Sequence, residues 1–123
     1  MGPRLLIVDD HVGFRRIAAA LCSASGFDVV DAVGTGRRAL EVAEILRPDV
    51  VLLDVQLPDV LGFDLVAPLH AIGAVVILTS TRSVGDYGSR VSECEAGGFV
   101  AKDELTGPTL HAIVAGAVRK AGA

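Results

Sequence analysis

Five short apolar runs recur at nearly regular intervals along the chain, and they constrain its fold more than any other feature. The runs cover residues 5–8, 29–33 (interrupted by Asp31), 50–53, 75–78 and 99–101. The first, third and fourth runs do not alternate with polar residues, which is typical of strands buried on both faces of a parallel sheet. We therefore predict five strands in a parallel sheet.

Segments with helical periodicity lie between these runs. Thr35 is the expected N-cap of the second helix, and Pro108 fits the first turn of the last one. Gly26 is expected to end the first helix, and the pair Arg47 and Pro48 to end the second. The apolar positions expected to face the sheet are Phe14, Ile17, Ala18 and Leu21; Ala39, Leu40, Ala43 and Leu46; Leu65, Val66, Leu69 and Ile72; and Leu110, Ile113, Val114, Ala117 and Val118. This alternation predicts an α/β fold with right-handed crossovers and helices on both faces of the sheet.

The segment between the fourth and fifth runs departs from this pattern. It contains Gly85 and Gly88, and each glycine disfavours a helix by roughly 1 kcal/mol relative to alanine. We therefore predict a short or irregular helix over residues 87–96. We also expect residues 81–98 to be the least protected part of the chain in hydrogen exchange.

Composition and charge argue against several classes of protein. With 51% hydrophobic and 21% charged residues the chain does not resemble a disordered one, and its 123 residues fit one domain over residues 1–123. A net charge of −4 without a basic stripe argues against direct binding of nucleic acid. The apolar runs are too short to span a membrane and no signal-peptide core precedes the first charges, so we expect a cytoplasmic protein.

Cysteine and histidine residues show no spacing typical of a metal site. We expect Cys22 and Cys94 to be free, half-buried thiols in a reducing compartment. We expect a structural or surface role for His11, and exposed positions on helices for His70 and His111.

Polar side chains follow four of the five apolar runs. They are Asp9 and Asp10 after the first run, Asp54 after the third, Thr79 and Ser80 after the fourth, and Lys102 after the fifth. Ligands of open parallel sheets bind at the carboxyl ends of the strands, where these side chains would converge. Three carboxylates there would repel one another unless a cation lay between them, and oxygen ligands of this kind suit Mg²⁺. Asp54 could then act as a nucleophile toward phosphorus.

This set of residues resembles the receiver domain of bacterial two-component response regulators, in the subfamily often joined to a C-terminal helix-turn-helix. The stretches that carry the resemblance are "IVDDHVGFRR", "DVVLLDVQLPDVLGFDL" and "GFVAKDEL", and it covers essentially the whole chain. It implies a doubly wound, flavodoxin-like three-layer sandwich with five βα units and strand order 2-1-3-4-5.

The resemblance also implies roles for single residues. Asp54 would accept a phosphoryl group from a sensor histidine kinase, and Lys102 would pair with that group or with Asp54. Thr79 would move toward the phosphoryl group, and the rotamer of Phe99 would report that movement. Mg²⁺ would be held by Asp9, Asp10, Asp54 and the backbone carbonyl of Gln56.

The chemistry implied is self-phosphorylation followed by slow hydrolysis, with no other enzymatic activity. The implied partners are the kinase, an output domain or downstream protein, and a second copy in a phosphorylation-dependent dimer, but neither nucleic acid nor a membrane. Phosphorylation is expected to slow hydrogen exchange in residues 81–98.

Four features depart from the family pattern, among them Ser80 where a small Ala is common, and Cys94 and Glu95 in place of the usual small pair. Leu61 stands where the family usually has Asp, and the glycine-bearing fourth helix differs from a regular one. A Mg²⁺-dependent phosphatase or phosphotransferase for small molecules, and a receiver-like interaction module that takes no phosphate, are the alternatives. The sequence leaves open whether the chain is a stand-alone receiver or part of a longer regulator.

Overall fold

A computed structural model of this protein, which describes residues 2–122 with side chains to residue 117, contains one five-stranded sheet. Its strands are β1 (Arg4–Val8), β2 (Asp28–Val33), β3 (Val50–Asp54), β4 (Val75–Ser80) and β5 (Gly98–Ala101). They lie in the order β2-β1-β3-β4-β5, and all neighbouring pairs are parallel. The predicted fold class and strand order are therefore confirmed.

Helices connect successive strands and cover both faces of the sheet. They are α1 (Val12–Ala24), α2 (Gly36–Leu46), α3 (Phe63–Ala71), α4 (Arg90–Glu93) and α5 (Gly107–Gly122), with 3-10 turns at Val84–Tyr87 and Lys102–Glu104. Among the described helices, none combines the length and the apolar character needed to cross a bilayer.

The helix boundaries follow the local chemistry of the sequence. The Thr35 hydroxyl accepts a hydrogen bond from the Arg38 amide at 3.1 Å and caps α2, as predicted. Arg47 ends α2 in a left-handed conformation (φ 49°), and Pro48 prevents the helix from continuing. Gly26 follows α1 at φ 94°, a conformation that glycine adopts without a steric penalty.

Successive strand residues point to opposite faces and build two separate cores. In β1, Leu6 and Val8 pack with the buried faces of α2 and α3, whereas Leu5 and Ile7 pack with those of α1 and α5. The residues of β3 alternate in the same way and are all buried. Burial on both faces therefore accounts for the apolar runs that do not alternate.

Two residues of the predicted apolar stripes lie on the solvent side. Ile17 is 66% exposed and Leu40 is also exposed. Successive residues of a helix are rotated by about 100° around its axis, and these two lie outside the arc of the helix that faces the sheet. Cys22 lies in that arc of α1 and is fully buried rather than half-buried, and burial raises the pKa of its thiol to about 11. Cys94 is half-buried and both thiols are free, as expected. Val118 lies outside the residues whose side chains are described.

The predicted short or irregular helix is confirmed, but it does not extend over residues 87–96. The chain instead forms a 3-10 turn at Val84–Tyr87 and a single helical turn at Arg90–Glu93. Gly88 separates them at φ 59°, a left-handed conformation that interrupts any continuous helix. The result is an open connection between β4 and β5 rather than a fourth regular helix.

Candidate functional site

Three aspartates predicted for the site meet at the carboxyl edge of the sheet. Asp9 directly follows β1 and Asp54 is the last residue of β3, and they are only 1% and 4% exposed. Asp10 turns outward, with 36% of its side chain exposed. The two adjacent aspartates are therefore not equivalent, because one is a buried charge and the other lies at the entrance.

Lys102 links the two buried carboxylates. Its Nζ lies 2.6 Å from Asp9 Oδ2 and 3.4 Å from Asp54 Oδ2, and its side chain is only 11% exposed. The same ammonium lies 4.5 Å from the centroid of the Phe14 ring, where a cation is attracted electrostatically. One positive charge thus partly balances two negative ones inside the protein.

Asp9 is held in place through several of its atoms. Its Oδ1 accepts a hydrogen bond from the His11 amide at 2.8 Å, and its carbonyl accepts one from Arg15 Nη1 at 2.6 Å. Its Oδ2 is buried and makes no hydrogen bond to any residue that the structure describes, although Lys102 lies close to it. This oxygen is therefore balanced by the charge of Lys102, and a buried carboxylate oxygen of this kind is suited to binding a cation.

His11 contacts both adjacent aspartates from the surface. Its Nδ1 lies 3.2 Å from Asp9 Oδ1 and 3.1 Å from Asp10 Oδ1, while most of the ring is exposed. Ligand atoms of Asp9, Asp10, His11 and Asp54 lie within 4.8 Å of one another. Because most of these donors are carboxylate oxygens, the cluster fits a hard divalent cation such as Mg²⁺.

The Asp54 carboxyl group is electrostatically stressed in the absence of a metal ion. Its pKa is about 6 rather than 3.8, chiefly because burial raises it and because the nearby charge of Asp9 raises it further. Lys102 and the hydrogen bond from the Gln56 amide, 3.2 Å from Asp54 Oδ1, act in the opposite direction. A further cation at this edge would favour the ionised carboxylate.

The segment that follows Asp54, residues 55–62, is named here the β3–α3 loop. Asp59 in this loop accepts hydrogen bonds from the Gly36 and Arg37 amides, both at 2.9 Å, and so caps the start of α2. These bonds lower the pKa of Asp59. The sequence pattern did not reveal this cap, because its two halves lie more than 20 residues apart.

Gly62 closes the β3–α3 loop and lies against the backbone of Asp54. Its amide donates to the Val55 carbonyl at 2.6 Å. A Cβ atom at this position would lie 2.4 Å from the Asp54 carbonyl oxygen, closer than any side chain permits. Only glycine therefore fits here, and the close approach fixes the loop beside Asp54.

The β3–α3 loop forms one wall of the site, and the end of β4 begins the other. Thr79 is the register partner of Asp54 on the neighbouring strand and is 1% exposed. Ser80 follows it, and its Oγ lies 2.5 Å from the hydroxyl of Tyr87. Tyr87 belongs to the segment named here the β4–β5 connection, residues 81–97.

Tyr87 also packs between two aromatic rings. The centroid of the Phe63 ring lies 5.4 Å from that of Tyr87 in an edge-on arrangement, and the Phe99 centroid lies 5.9 Å away. Phe99, the predicted reporter residue, is thus placed beside Tyr87 at the end of the sheet. The predicted site did not include Tyr87, although it is the single tyrosine of the chain.

A cavity of about 210 Å³ opens over Asp54. Its lining residues are Asp10, His11, Asp54, Gln56, Leu57, Pro58, Ser80, Thr81 and Lys102. A groove of about 590 Å³ lies at the opposite end of the sheet, near the start of β4, with His70 and Glu95 paired at 3.3 Å on its rim. The titratable cluster belongs to the smaller cavity.

The sequence is similar to a known protein family and to several of its members. The family model for the response regulator receiver domain matches residues 5–115. The chemotaxis protein CheY of Thermotoga maritima is 28% identical over 120 residues, which cover 98% of each chain. The virulence factors putative positive transcription regulator BvgA of Bordetella pertussis is 30% identical over 114 residues, 90% of this chain and 52% of that protein. The chain thus spans about half the length of several curated relatives.

Solved structures match over nearly the whole chain. The signal receiver domain of the putative response regulator NarL from Mycobacterium tuberculosis superposes with a TM-score of 0.80 at 28% identity, covering 91% of this chain and 96% of that one. The signal receiver domain of a modulated diguanylate cyclase from Desulfovibrio desulfuricans G20 gives 0.84 at 26% identity, with coverage of 98% and 96%. Sequence and fold comparisons therefore point to the same kind of domain.

Proposed function

This chain belongs to the response regulator receiver domain family, and from that membership we propose that it is switched by transfer of one phosphoryl group to Asp54. The donor is a sensor histidine kinase, and the transfer requires Mg²⁺. The observation that carries the proposal is the buried Asp54 carboxylate, which shares Lys102 with Asp9 beneath an open cavity. A carboxylate in this setting can act as a nucleophile without a general base.

The proposed step exchanges one bond to phosphorus for another. An oxygen of the ionised Asp54 attacks the phosphorus atom, and the bond from phosphorus to the donor nitrogen of the kinase histidine breaks. Asp54 becomes an acyl phosphate, and the histidine leaves with the electron pair of the broken bond. Lys102 lies 3.4 Å from Asp54 Oδ2, where its positive charge can stabilise an oxygen of the transferred group.

The metal ligands we propose are Asp9, Asp10, Asp54 and the backbone carbonyl of Gln56. When bound, Mg²⁺ supplies positive charge to the transferring phosphoryl group. The buried Asp9 Oδ2 and the clustered carboxylates support this assignment. Lys102 Nζ contacts both Asp9 and Asp54, so a bound cation would share these two carboxylates with it.

Thr79 and Phe99 are the proposed switch residues. Thr79 lies beside Asp54 in the strand register, so its hydroxyl is near enough to approach a phosphoryl group on Asp54 after a small displacement. Phe99 lies on β5 beside Tyr87, where a change of rotamer would alter the packing of the β4–β5 connection.

The small cavity favours a phosphoryl acceptor over an enzyme for small organic substrates. Its volume of about 210 Å³ lies below the usual range for ligand sites, roughly 300–1,000 Å³. We propose that residues 1–123 act as one cytoplasmic receiver unit, whose only chemistry is self-phosphorylation and slow hydrolysis. Its partners are then the kinase and an output domain, a downstream protein or a second phosphorylated copy.

Intact mass spectrometry after incubation with acetyl phosphate and Mg²⁺ tests this function. We expect one added phosphoryl group in the wild-type protein and none in Asp54→Asn, which keeps the shape of the side chain. Chelation with EDTA should abolish the labelling. Labelling of Asp54→Asn on a serine or histidine, or labelling that is indifferent to EDTA, would reject the mechanism.

A further inference from the structure

The hydrogen bond between Ser80 and Tyr87 joins the phosphoryl site to the β4–β5 connection. The two hydroxyl oxygens lie 2.5 Å apart, and Ser80 Oγ also accepts the Arg82 amide at 3.1 Å. A serine hydroxyl has a single proton to donate. Ser80 can therefore donate a hydrogen bond to only one neighbour at a time.

Ser80 is placed to serve the chemistry of Asp54. It follows Thr79, the register partner of Asp54, and is only 3% exposed. It lines the same cavity as Asp54 and Lys102. A group attached to Asp54 would enter the cavity that Ser80 helps to line.

Tyr87 is the inward-facing residue of an otherwise exposed stretch. Residues 81–86 and 88–90 are exposed, whereas Tyr87 is half-buried against Phe63 and Phe99. Arg90 lies 4.5 Å above the Phe63 ring and adds to the same cluster. The aromatic contacts fix the position of the Tyr87 ring, and the Tyr87 hydroxyl forms a hydrogen bond with Ser80.

We propose, on the basis of the proposed phosphorylation of Asp54, that Ser80 binds the phosphoryl group and that Tyr87 is a positioning residue that engages the Ser80 hydroxyl in the unmodified protein. An aspartyl phosphate brings anionic oxygens into the cavity, and hydrogen bonds to ionised acceptors are stronger than those between neutral hydroxyls. The Ser80 hydroxyl then turns from Tyr87 and donates a hydrogen bond to a phosphoryl oxygen. Tyr87 loses its polar attachment to the site, and the β4–β5 connection is released.

Two substitutions break the same bond but should change phosphorylation in opposite directions. Tyr87→Phe keeps the aromatic ring and frees Ser80, so labelling by acetyl phosphate should become about threefold faster. Ser80→Ala removes the donor itself, so labelling should become about tenfold slower. If the bond were merely structural, both variants would shift the rate in the same direction.

Tyrosine fluorescence gives a second readout that is specific to this bond. The chain has one tyrosine and no tryptophan, so its intrinsic emission reports Tyr87 alone. We expect the emission of the wild-type protein to change on phosphorylation toward that of unmodified Ser80→Ala. In Ser80→Ala the emission should not respond to acetyl phosphate, because the bond is already absent.

Ser83→Ala is the matched control for loosening of the connection. Ser83 closes the 3-10 turn with Asp86 at 3.0 and 3.2 Å and does not line the cavity. This variant should label at the wild-type rate. All variants are compared as the full chain with Mg²⁺, after circular dichroism has shown that they are folded.

The outcomes separate this proposal from the phosphorylation itself. Labelling of Asp54 with opposite rate changes in Tyr87→Phe and Ser80→Ala supports both. Labelling of Asp54 with rate changes of the same sign, or acceleration by Ser83→Ala, overturns the role of Ser80 and Tyr87 and leaves the proposed function standing. The role of Ser80 and Tyr87 is also overturned if the tyrosine fluorescence of the wild-type protein does not change on full phosphorylation. Absence of labelling in the wild-type protein overturns both.

Discussion

The two connections that frame the site leave neighbouring strands at the same edge but are held in different ways. The β3–α3 loop is tied to α2 through the Asp59 carboxylate and to β4 through the Val55 amide, which donates to the Thr79 carbonyl. The β4–β5 connection is closed by a capping box between Ser83 and Asp86, which ties it only to itself. Its side-chain link to the site is the Tyr87 hydroxyl, and the Arg82 amide adds a backbone bond to Ser80 Oγ.

This difference separates a fixed wall from a movable one. Opening the β3–α3 loop requires loss of contacts with two other elements, whereas opening the β4–β5 connection exposes little that is buried now. Local opening is easiest where few buried contacts are lost. A change at Asp54 should therefore be transmitted through the β4–β5 connection, while the β3–α3 loop keeps Asp54 in place.

Alanine in place of one glycine on each wall should give the largest contrast. In Gly62→Ala the new Cβ would lie 2.4 Å from the Asp54 carbonyl oxygen and 3.0 Å from Val55 Cα. Because both atoms belong to the backbone, we expect a loss of about 3 kcal/mol or more in the free energy of unfolding. Urea denaturation measures it.

Gly85→Ala on the other wall is the control for this change. The nearest atom to its new Cβ is Ser83 Oγ at 3.9 Å. We expect no loss of stability, and a gain of up to about 1 kcal/mol because alanine restricts the unfolded chain. Equal losses at the two glycines would remove the distinction between the walls.

The charge on Asp54 should have the next largest effect. Asn at this position removes a buried negative charge, and Lys102 keeps its closer partner Asp9. In EDTA at pH 7.5 we expect Asp54→Asn to be more stable than the wild-type protein by about 2 kcal/mol. Asp10→Asn should change stability by less than about 0.5 kcal/mol, because Asp10 lies partly in water.

The pH dependence of stability gives the sign of this effect. The pKa of Asp54 is about 6 in the folded, metal-free protein and 3.8 as a reference for the unfolded chain. The protonated Asp54 carboxyl group thus contributes its full stabilisation below pH 3.8, and this stabilisation is lost as the pH rises through about 6. Thermal unfolding in EDTA should show the wild-type protein and Asp54→Asn converging toward pH 4. A less stable Asp54→Asn at pH 7.5 would mean that the carboxylate is satisfied by its present partners.

Removing one carboxylate from each wall should give a smaller contrast. Asp59→Ala deletes the cap that joins the β3–α3 loop to α2, so its melting temperature should fall and the Gly36 and Arg37 amides should exchange faster. Asp86→Ala breaks a bond within its own turn, and its melting temperature should fall less. A larger fall for Asp86→Ala would indicate that the β4–β5 connection is the better anchored wall.

The local pattern of the sequence was sufficient to predict the sheet and the convergence of Asp54 and Lys102. Apolar runs reveal strands buried on both faces, and strand ends in a parallel sheet share one edge. It did not reveal Asp59 capping α2 or Tyr87 bonding to Ser80. Both are contacts of a side chain with a distant element or across a turn, and no periodicity encodes them. The burial of Cys22 in place of Ile17 likewise depends on how α1 rotates against the sheet.

Peptide-resolved hydrogen exchange of the Mg²⁺-bound protein, with and without acetyl phosphate, tests most directly whether modification of Asp54 acts on one wall. From the sequence we expected phosphorylation to slow exchange in residues 81–98, whereas release of Tyr87 from Ser80 predicts the reverse. We expect faster exchange within residues 81–88 of the β4–β5 connection on phosphorylation, and unchanged exchange in the β3–α3 loop. Altered exchange in the β3–α3 loop together with unchanged or slower exchange in the β4–β5 connection would contradict the account.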